Sequence, residues 1–169
     1  MKQTILVTGG TGFIGSHTTV ELQQAGYHVV IVDNLSNSNI EVLDGIEKIT
    51  GVRPDFEKVD LRDMAATEAV FRKYSNIEGI IHFAASKAVG ESVQKPLLYY
   101  RNNIVSLVNL LELMPKYNVK GIIFSSSCTV YGQPKPENLP VTEDAPHQKA
   151  TSPYGNTKEI NEQIIYDYI

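Results

Sequence analysis

A chain of 169 residues with a net charge of −4 has room for one domain with a real core, and it lacks the basic excess that would suit a nucleic acid or another polyanion. Hydrophobic residues make up 42% of it, yet the longest apolar runs are strand-sized, which argues against a membrane span, and the N-terminus has no signal-peptide pattern. The single cysteine, Cys128, excludes an internal disulfide and suits a reducing cytoplasm.

Thr4–Thr8 reads as a first strand that runs directly into Gly9, Gly12 and Gly15. A helix follows, with Ile14, Thr18, Leu22 and Ala25 on one face and Gly26 at its end. His28–Asp33 is a second strand. A helix carrying Val42, Ile46 and Ile49 then stops at Gly51. Asp55–Val59 is a weaker third strand, and Asp63–Tyr74 is a helix with an acidic cap. Gly79–Ala84 is a fourth strand. Pro96–Tyr117 is a long helix with Leu107, Leu110, Leu111 and Met114 inward, and Gly121–Ser126 is a fifth strand. A polar, proline-rich loop runs from about Gly132 to Thr151, and Thr151 or Ser152 caps a last helix that has Pro153 in its first turn.

Val/Ile runs alternating with helices predict strands buried on both faces, hence an α/β fold with a doubly wound, parallel, Rossmann-type sheet. Five strands are legible. The last helix runs to Ile169 without a stop signal, so the chain reads as a single dinucleotide-binding domain over residues 1–169, cut short before a sixth strand and a substrate-binding half.

The glycine turn is a phosphate cradle in the making. Glycines permit a tight turn and close approach of a pyrophosphate, and the helix start supplies N–H groups and a favourable dipole. Asp33, about 20 residues on from that turn, is placed to accept from an adenosine ribose. A carboxylate there repels a 2′-phosphate, and Asn34, Leu35 and Ser36 offer no basic residue, so the cofactor expected is NAD rather than NADP. Asp33 as a helix cap is the plainer alternative. Asp60 with Leu61 ends strand three, either facing an adenine amino group or capping the next helix. Phe83, Ala84, Ala85, Ser86 and Lys87 leave strand four at the ligand edge of the sheet, with Lys87 either reaching a phosphate or ribose or simply solvated.

Tyr154 and Lys158, four apart on a helix, share a face. A free tyrosine has a pKa near ~10, and a neighbouring ammonium favours the phenolate, so the pair can act as a general base. Of Ser125, Ser126 and Ser127, Ser127 is the one expected to reach the reacting oxygen, with strand-end capping as the alternative. Asn102 on the long helix is expected to be buried with a specific partner. Cys128 is expected to be a small packed residue and His82 a satisfied core histidine. His17, His28, His82 and His147 show no metal-ligand spacing, so no metal is expected.

Thr8–Gly15, Asp33–Leu35 and Tyr154-x-x-x-Lys158 resemble the extended short-chain dehydrogenase/reductase family. Ile81–Leu97, Tyr99–Asn103, Phe124–Gly132 and Ser152–Gly155 narrow the resemblance to the UDP-glucose 4-epimerases within it. That resemblance implies a tightly bound NAD, with Phe13 and Ile14 over its pyrophosphate and Asp33, Asn34, Leu35, Ser36, Asn37 and Ser38 around the adenosine ribose. It sets Asp60 and Leu61 at the adenine, and Phe83 through Lys87 with Asn102 along the rest. Tyr154 would be the base, Lys158 would hold the nicotinamide ribose, and Ser127 would bind the sugar hydroxyl. Hydride leaves and returns to C4 of a UDP-hexose through a 4-keto sugar, interconverting UDP-galactose and UDP-glucose. The helices after strands four and five often form a dimer interface in that family.

Two other readings stand beside this one. A nucleotide-sugar 4,6-dehydratase typically needs an Asp-Glu pair beside the strand-five serines, where Cys128 and Thr129 stand instead. A non-catalytic NAD-binding fragment would keep the cradle without turnover.

Overall fold

The computed structural model describes residues 3–169. In chain order the elements are β1 (Thr4–Thr8), α1 (Phe13–Gln24), β2 (His28–Asp33), α2 (Val42–Thr50), β3 (Asp55–Lys58), α3 (Met64–Lys73), β4 (Ile77–His82), α4 (Val89–Gln94), α5 (Pro96–Lys116), β5 (Gly121–Phe124) and α6 (Pro153–Tyr168). The short helix α4 and two 3-10 turns, Cys128–Tyr131 and Pro136–Asn138, lie where the sequence showed only loop. They are too short to print a helical period.

The chain divides into two compact units. One comprises the residues up to Ala84 together with Ser106–Ser125, and it contains the whole sheet. All strand pairs are parallel, in the order β3-β2-β1-β4-β5, with Thr8 level with Val32 on one side and His82 on the other. The order reverses between β1 and β4, and ligands of such sheets bind beyond the strand ends at that point.

β2 is buried from Val29 to Val32, as the unbroken Val/Ile run requires. Alternation sends Val29 and Ile31 into one cluster with Val7, Leu43 and Ile46, against which Val20 and Leu22 pack. β5 departs from the expectation of burial on both faces. It is the terminal strand, and Ile123 is 64% exposed.

At two helices the buried face is not the one that apolar spacing alone picks out. In α1 the buried residues are Gly15 and Thr19, whereas Ile14 is 59% exposed and Ala25 is an exposed C-cap. The cause is backbone contact, since Gly15 must lie against the glycine turn and this fixes the rotation of the helix. In α2 the inward residues are Leu43 and Ile46, and Ile49 points out. Gly51, with φ +73°, ends α2, and Asp63 caps α3 by accepting from the Ala66 N–H at 3.0 Å. Leu107, Leu110, Leu111 and Met114 of α5 are buried.

The second unit comprises Ala85–Val105 and Ser126–Ile169. It carries α4, the first half of α5, both 3-10 turns and α6. Ser152 caps α6 by accepting from the Gly155 N–H at 3.1 Å, with Pro153 as the first helical residue.

Candidate functional site

In the sheet unit, β1 delivers the chain to Gly9, whose φ of +70° excludes most side chains. A Cβ there would also sit 2.7 Å from the Ala84 nitrogen, so the exit of β4 closes on the turn. The Gly9 N–H donates to the Val32 carbonyl at 2.8 Å, and the Phe83 N–H to the Thr8 carbonyl at 3.0 Å. A Cβ on Gly15 would overlap the Gly9 carbonyl oxygen and approach the Gly10 Cα to 2.8 Å. Gly10, which the spacing argument passed over, is held just as tightly: its Cβ would fall 2.7 Å from the Ile31 side chain. The signal available was the doubled glycine itself.

Gly12 occupies the N-cap of α1 and no side chain caps that helix. Phe13 is 76% exposed, next to exposed Ile14. An uncapped helix start flanked by exposed apolar side chains is an anion site with an apolar wall. The cradle therefore fits a dinucleotide pyrophosphate on its own geometry.

Asp33 does not cap a helix. Its carboxylate accepts from the Thr11 N–H (3.3 Å), the Leu35 N–H (2.9 Å) and the Ser38 hydroxyl (3.0 Å), while the Thr11 hydroxyl donates to Ser38 Oγ (2.8 Å). These bonds bring the end of β2 against the glycine turn. Leu35 takes a positive φ of +59° as the chain folds around the carboxylate. A carboxylate has about four lone-pair sites, so acceptor capacity remains for a ribose hydroxyl. Asp60 is not the cap of α3 either; that is Asp63. Arg62 clasps Asp60, donating from its backbone N–H and its guanidinium, and holds the carboxyl below its ordinary range. Asn34 contributes a further hydrogen bond to Asp60. Leu61 is buried, and its carbonyl accepts from Asn109 at 2.8 Å. His82 is buried, with Nδ1 2.6 Å from the Thr8 hydroxyl.

In the second unit the site rests on hydrogen-bonded side chains. Asn103, 1% exposed, accepts from the Ser86 N–H (2.8 Å) and donates to the Ser86 carbonyl (3.0 Å) and to the Thr157 hydroxyl (3.0 Å). The Thr157 hydroxyl donates in turn to the Tyr154 carbonyl at 2.7 Å, and Asn161 donates to the Asn103 carbonyl at 3.0 Å. This network ties the segment after β4 to the helix that carries Tyr154 and Lys158. Asn102, expected to be the buried residue, is half-buried and donates to Ser86 Oγ at 3.2 Å and to Asn103 Oδ1 at 3.1 Å. The helix turns Asn103 inward, and Asn103, Thr157 and Asn161 were all missed. Polar residues at 157 and 161, four apart on one helix face, were the available signal. Lys87 is exposed and pairs with no carboxylate among the described residues.

Lys158 is 4% exposed, and its Nζ lies 5.9 Å from the centre of the Tyr154 ring. Burial pushes the ammonium down to about 8, partly opposed by the charge of Glu162. At neutral pH it therefore stays largely charged while sitting in a dry environment. Ser127 precedes a 3-10 turn and caps it, accepting from the Thr129 N–H (3.3 Å) and the Thr129 hydroxyl (3.0 Å). Its own hydroxyl proton remains available to donate. Gly155 packs on Thr129, where a Cβ would come within 3.1 Å of the Thr129 side chain. The Ser127 turn and the Tyr154 helix are thus adjoining elements. Cys128, expected to be packed, is exposed, because the first residue of the 3-10 turn directs its side chain outward. Among the described residues no group of three His, Cys, Asp or Glu side chains could hold a metal ion, and no helix is long and apolar enough to cross a membrane.

The model of the family described as GDP-mannose 4,6-dehydratase matches residues 6–169. The UDP-glucose 4-epimerase of Schizosaccharomyces pombe is 55% identical over 166 residues, covering 97% of this chain and 46% of that protein. That of Bacillus subtilis is 55% identical over 163 residues, covering 96% and 47%. Among solved structures, the UDP-glucose 4-epimerase from Bifidobacterium longum in complex with NAD+ and UDP superimposes with a TM-score of 0.93 at 52% identity, over 97% of this chain and 48% of that one. The enzyme from Stenotrophomonas maltophila, with bound NAD and formylated UDP-arabinopyranose, gives 0.91 at 45% identity, over 98% and 48%. The chain spans about half the length of the curated relatives it matches.

Proposed function

Since this chain belongs to the GDP-mannose 4,6-dehydratase family, we propose that it supplies the NAD-binding and proton-transfer residues of a UDP-glucose 4-epimerase. The observation that carries this reading is the buried Lys158 ammonium beneath the Tyr154 ring. A tyrosine so placed suits removal of a proton from a sugar hydroxyl, and the remaining Ser127 proton suits a hydrogen bond to the same oxygen. Lys158 holds the nicotinamide ribose and favours the phenolate.

Residues 1–169 act as an NAD-binding domain in this reading. The turn from Gly9 to Gly15 receives the pyrophosphate, with Phe13 and Ile14 covering it. Asp33 and the residues to Ser38 take the adenosine ribose, Asp60 and Leu61 the adenine, and Phe83 to Lys87 with Asn102 the rest. When bound, NAD supplies the acceptor and donor of hydride at C4 of the sugar. The substrates are UDP-galactose and UDP-glucose, which sets the protein in galactose metabolism. Its single cysteine suits the cytoplasm. Exposed Val89, Val93 and Leu97 on α4 and the start of α5 support a homodimer. The family's description favours a 4,6-dehydratase as the second reading, but Cys128 and Thr129 stand where that chemistry wants carboxylates.

The test is to denature the purified chain, quantify released NAD, and follow conversion of UDP-galactose beside it. Near-equimolar NAD is expected, and a chain that holds none even after incubation with it overturns the reading. Where conversion is measured, Tyr154→Phe should remove it while keeping NAD. An unchanged rate would refute Tyr154 as the base.

A further inference from the structure

Tyr154, Lys158 and Glu162 stand at successive four-residue steps along α6, which places all three on one face. The Glu162 side chain is 32% exposed, so its charge is less screened than that of a freely solvated carboxylate. His147, from the loop before α6, brings Nδ1 to 3.9 Å from Glu162 Oε2. The Tyr131 ring meets the His147 ring edge-on at 5.2 Å between centroids. Tyr131 ends the 3-10 turn that Ser127 caps, and Gly132 after it lies so close to Gln148 and Lys149 that a Cβ would fall 2.5 Å from the Lys149 carbonyl oxygen. The turn bearing Ser127 therefore also fixes the His147 segment.

We propose that Glu162, steadied by His147, is a positioning residue that keeps the Lys158 side chain charged beneath Tyr154. The proposal rests on the reading of Tyr154 and Lys158 as the proton-transfer pair. A buried amine in apolar surroundings drifts toward its neutral form, and a neutral amine neither favours a phenolate nor serves as a cationic anchor. Two influences of opposite sign act on Lys158, burial downward and the Glu162 carboxylate upward. The other titratable groups nearby are Tyr154, Glu159 and Tyr166 on the same helix, and Tyr99 of α5, which senses Tyr154 and whose hydroxyl donates to Glu91 of α4 at 2.9 Å. Of these, Glu162 is the one set a single turn beyond Lys158 and braced from a second segment.

The experiment is a direct titration of the Lys158 side chain by NMR in chains carrying 13C- and 15N-labelled lysine, with NAD content measured on the same samples. Glu162→Gln should lower the Lys158 midpoint by about half a pKa unit or more. Glu162→Asp should restore most of it, and His147→Gln should give a smaller fall in the same direction. Glu159→Gln removes the same charge from the same helix and should leave the midpoint in place. Coincident midpoints for the unsubstituted chain and Glu162→Gln overturn the proposal, as does an equal fall in Glu159→Gln. If Glu162→Gln does not fold, His147→Gln decides, because exposed His147 can change without disturbing the core; an unmoved midpoint there ends the proposal. Loss of NAD from the unsubstituted chain would count against the proposed function while the titration still reports on Glu162.

Discussion

The segment from Gly9 to Gly15 takes its shape from Cβ atoms that are missing. Three glycines there, Gly9, Gly10 and Gly15, leave no room for a methyl group, and the contacts they make are with backbone or with one core side chain, Ile31. The helix bearing Tyr154 is held in the opposite way, by side chains that are present: Asn103 bonds the Ser86 backbone and the Thr157 hydroxyl, and Asn161 donates to the Asn103 carbonyl. A site built from backbone fails when one atom is added. A site built from buried polar side chains fails when one is removed, because its partners stay desolvated.

The largest expected effect is at Gly9. Gly9→Ala combines a left-handed backbone with overlap onto Ala84 and should destabilise by about 3–4 kcal/mol in urea unfolding, with loss of NAD binding. A variant within about 0.5 kcal/mol of the parent would show that the turn does not depend on the missing Cβ atoms. Lys158 tests the second unit through pH. Its folded-state value of about 8 lies below the ordinary 10.5, so between those values the unfolded chain holds the extra proton and stability rises with pH. The burial penalty is in full force below pH 8. Lys158→Met should lack that rise, and the two stability profiles should differ across the window by about 3 kcal/mol. Parallel profiles would show that the ammonium is not buried.

Asn103→Ala should cost about 2 kcal/mol by stranding the Ser86 backbone groups and removing the donor to the Thr157 hydroxyl, measured as a shift in the urea midpoint at unchanged slope. Asn102→Ala, with its half-buried side chain, should cost clearly less. The smallest effect has the opposite sign. Gly45 lies inside α2 with open space where a Cβ would go, so Gly45→Ala should stabilise by about 0.5–1 kcal/mol. Glycines of the cradle and of an ordinary helix would then be separated by experiment.

The strands, their parallel arrangement and the glycine turn were legible because each depends on short-range pattern: a Val/Ile run, or a glycine at a turn. That Tyr154 and Lys158 share a face of α6 was legible for the same reason, since they are one helical turn apart. The rotation of α1 was not. Ile14 and Leu22 share an apolar stripe, yet Leu22 packs on the core while Ile14 is exposed; the contact that orients the helix is Gly15 against the Gly9 carbonyl, which apolar spacing does not register. The Asn103 network was hidden because its partners lie 17 and 54 residues away in sequence, and nothing local marks them as neighbours. At Asp60 the capping alternative falls to Asp63, and the clasp by Arg62, two residues on, was not legible because nothing in the spacing marks that pairing.

The uncapped start of α1 reaches beyond the binding of a ligand. Most helices carry their own N-terminal acceptor, worth about 1 kcal/mol of stability. Gly12 offers none, so an anion that docks there completes the helix as well as occupying the site. Occupancy and folding are then linked by mass action, and the thermal midpoint of the chain should climb with the logarithm of ligand concentration above its dissociation constant. A cell's supply of that ligand would set how long the chain survives as well as how fast it works.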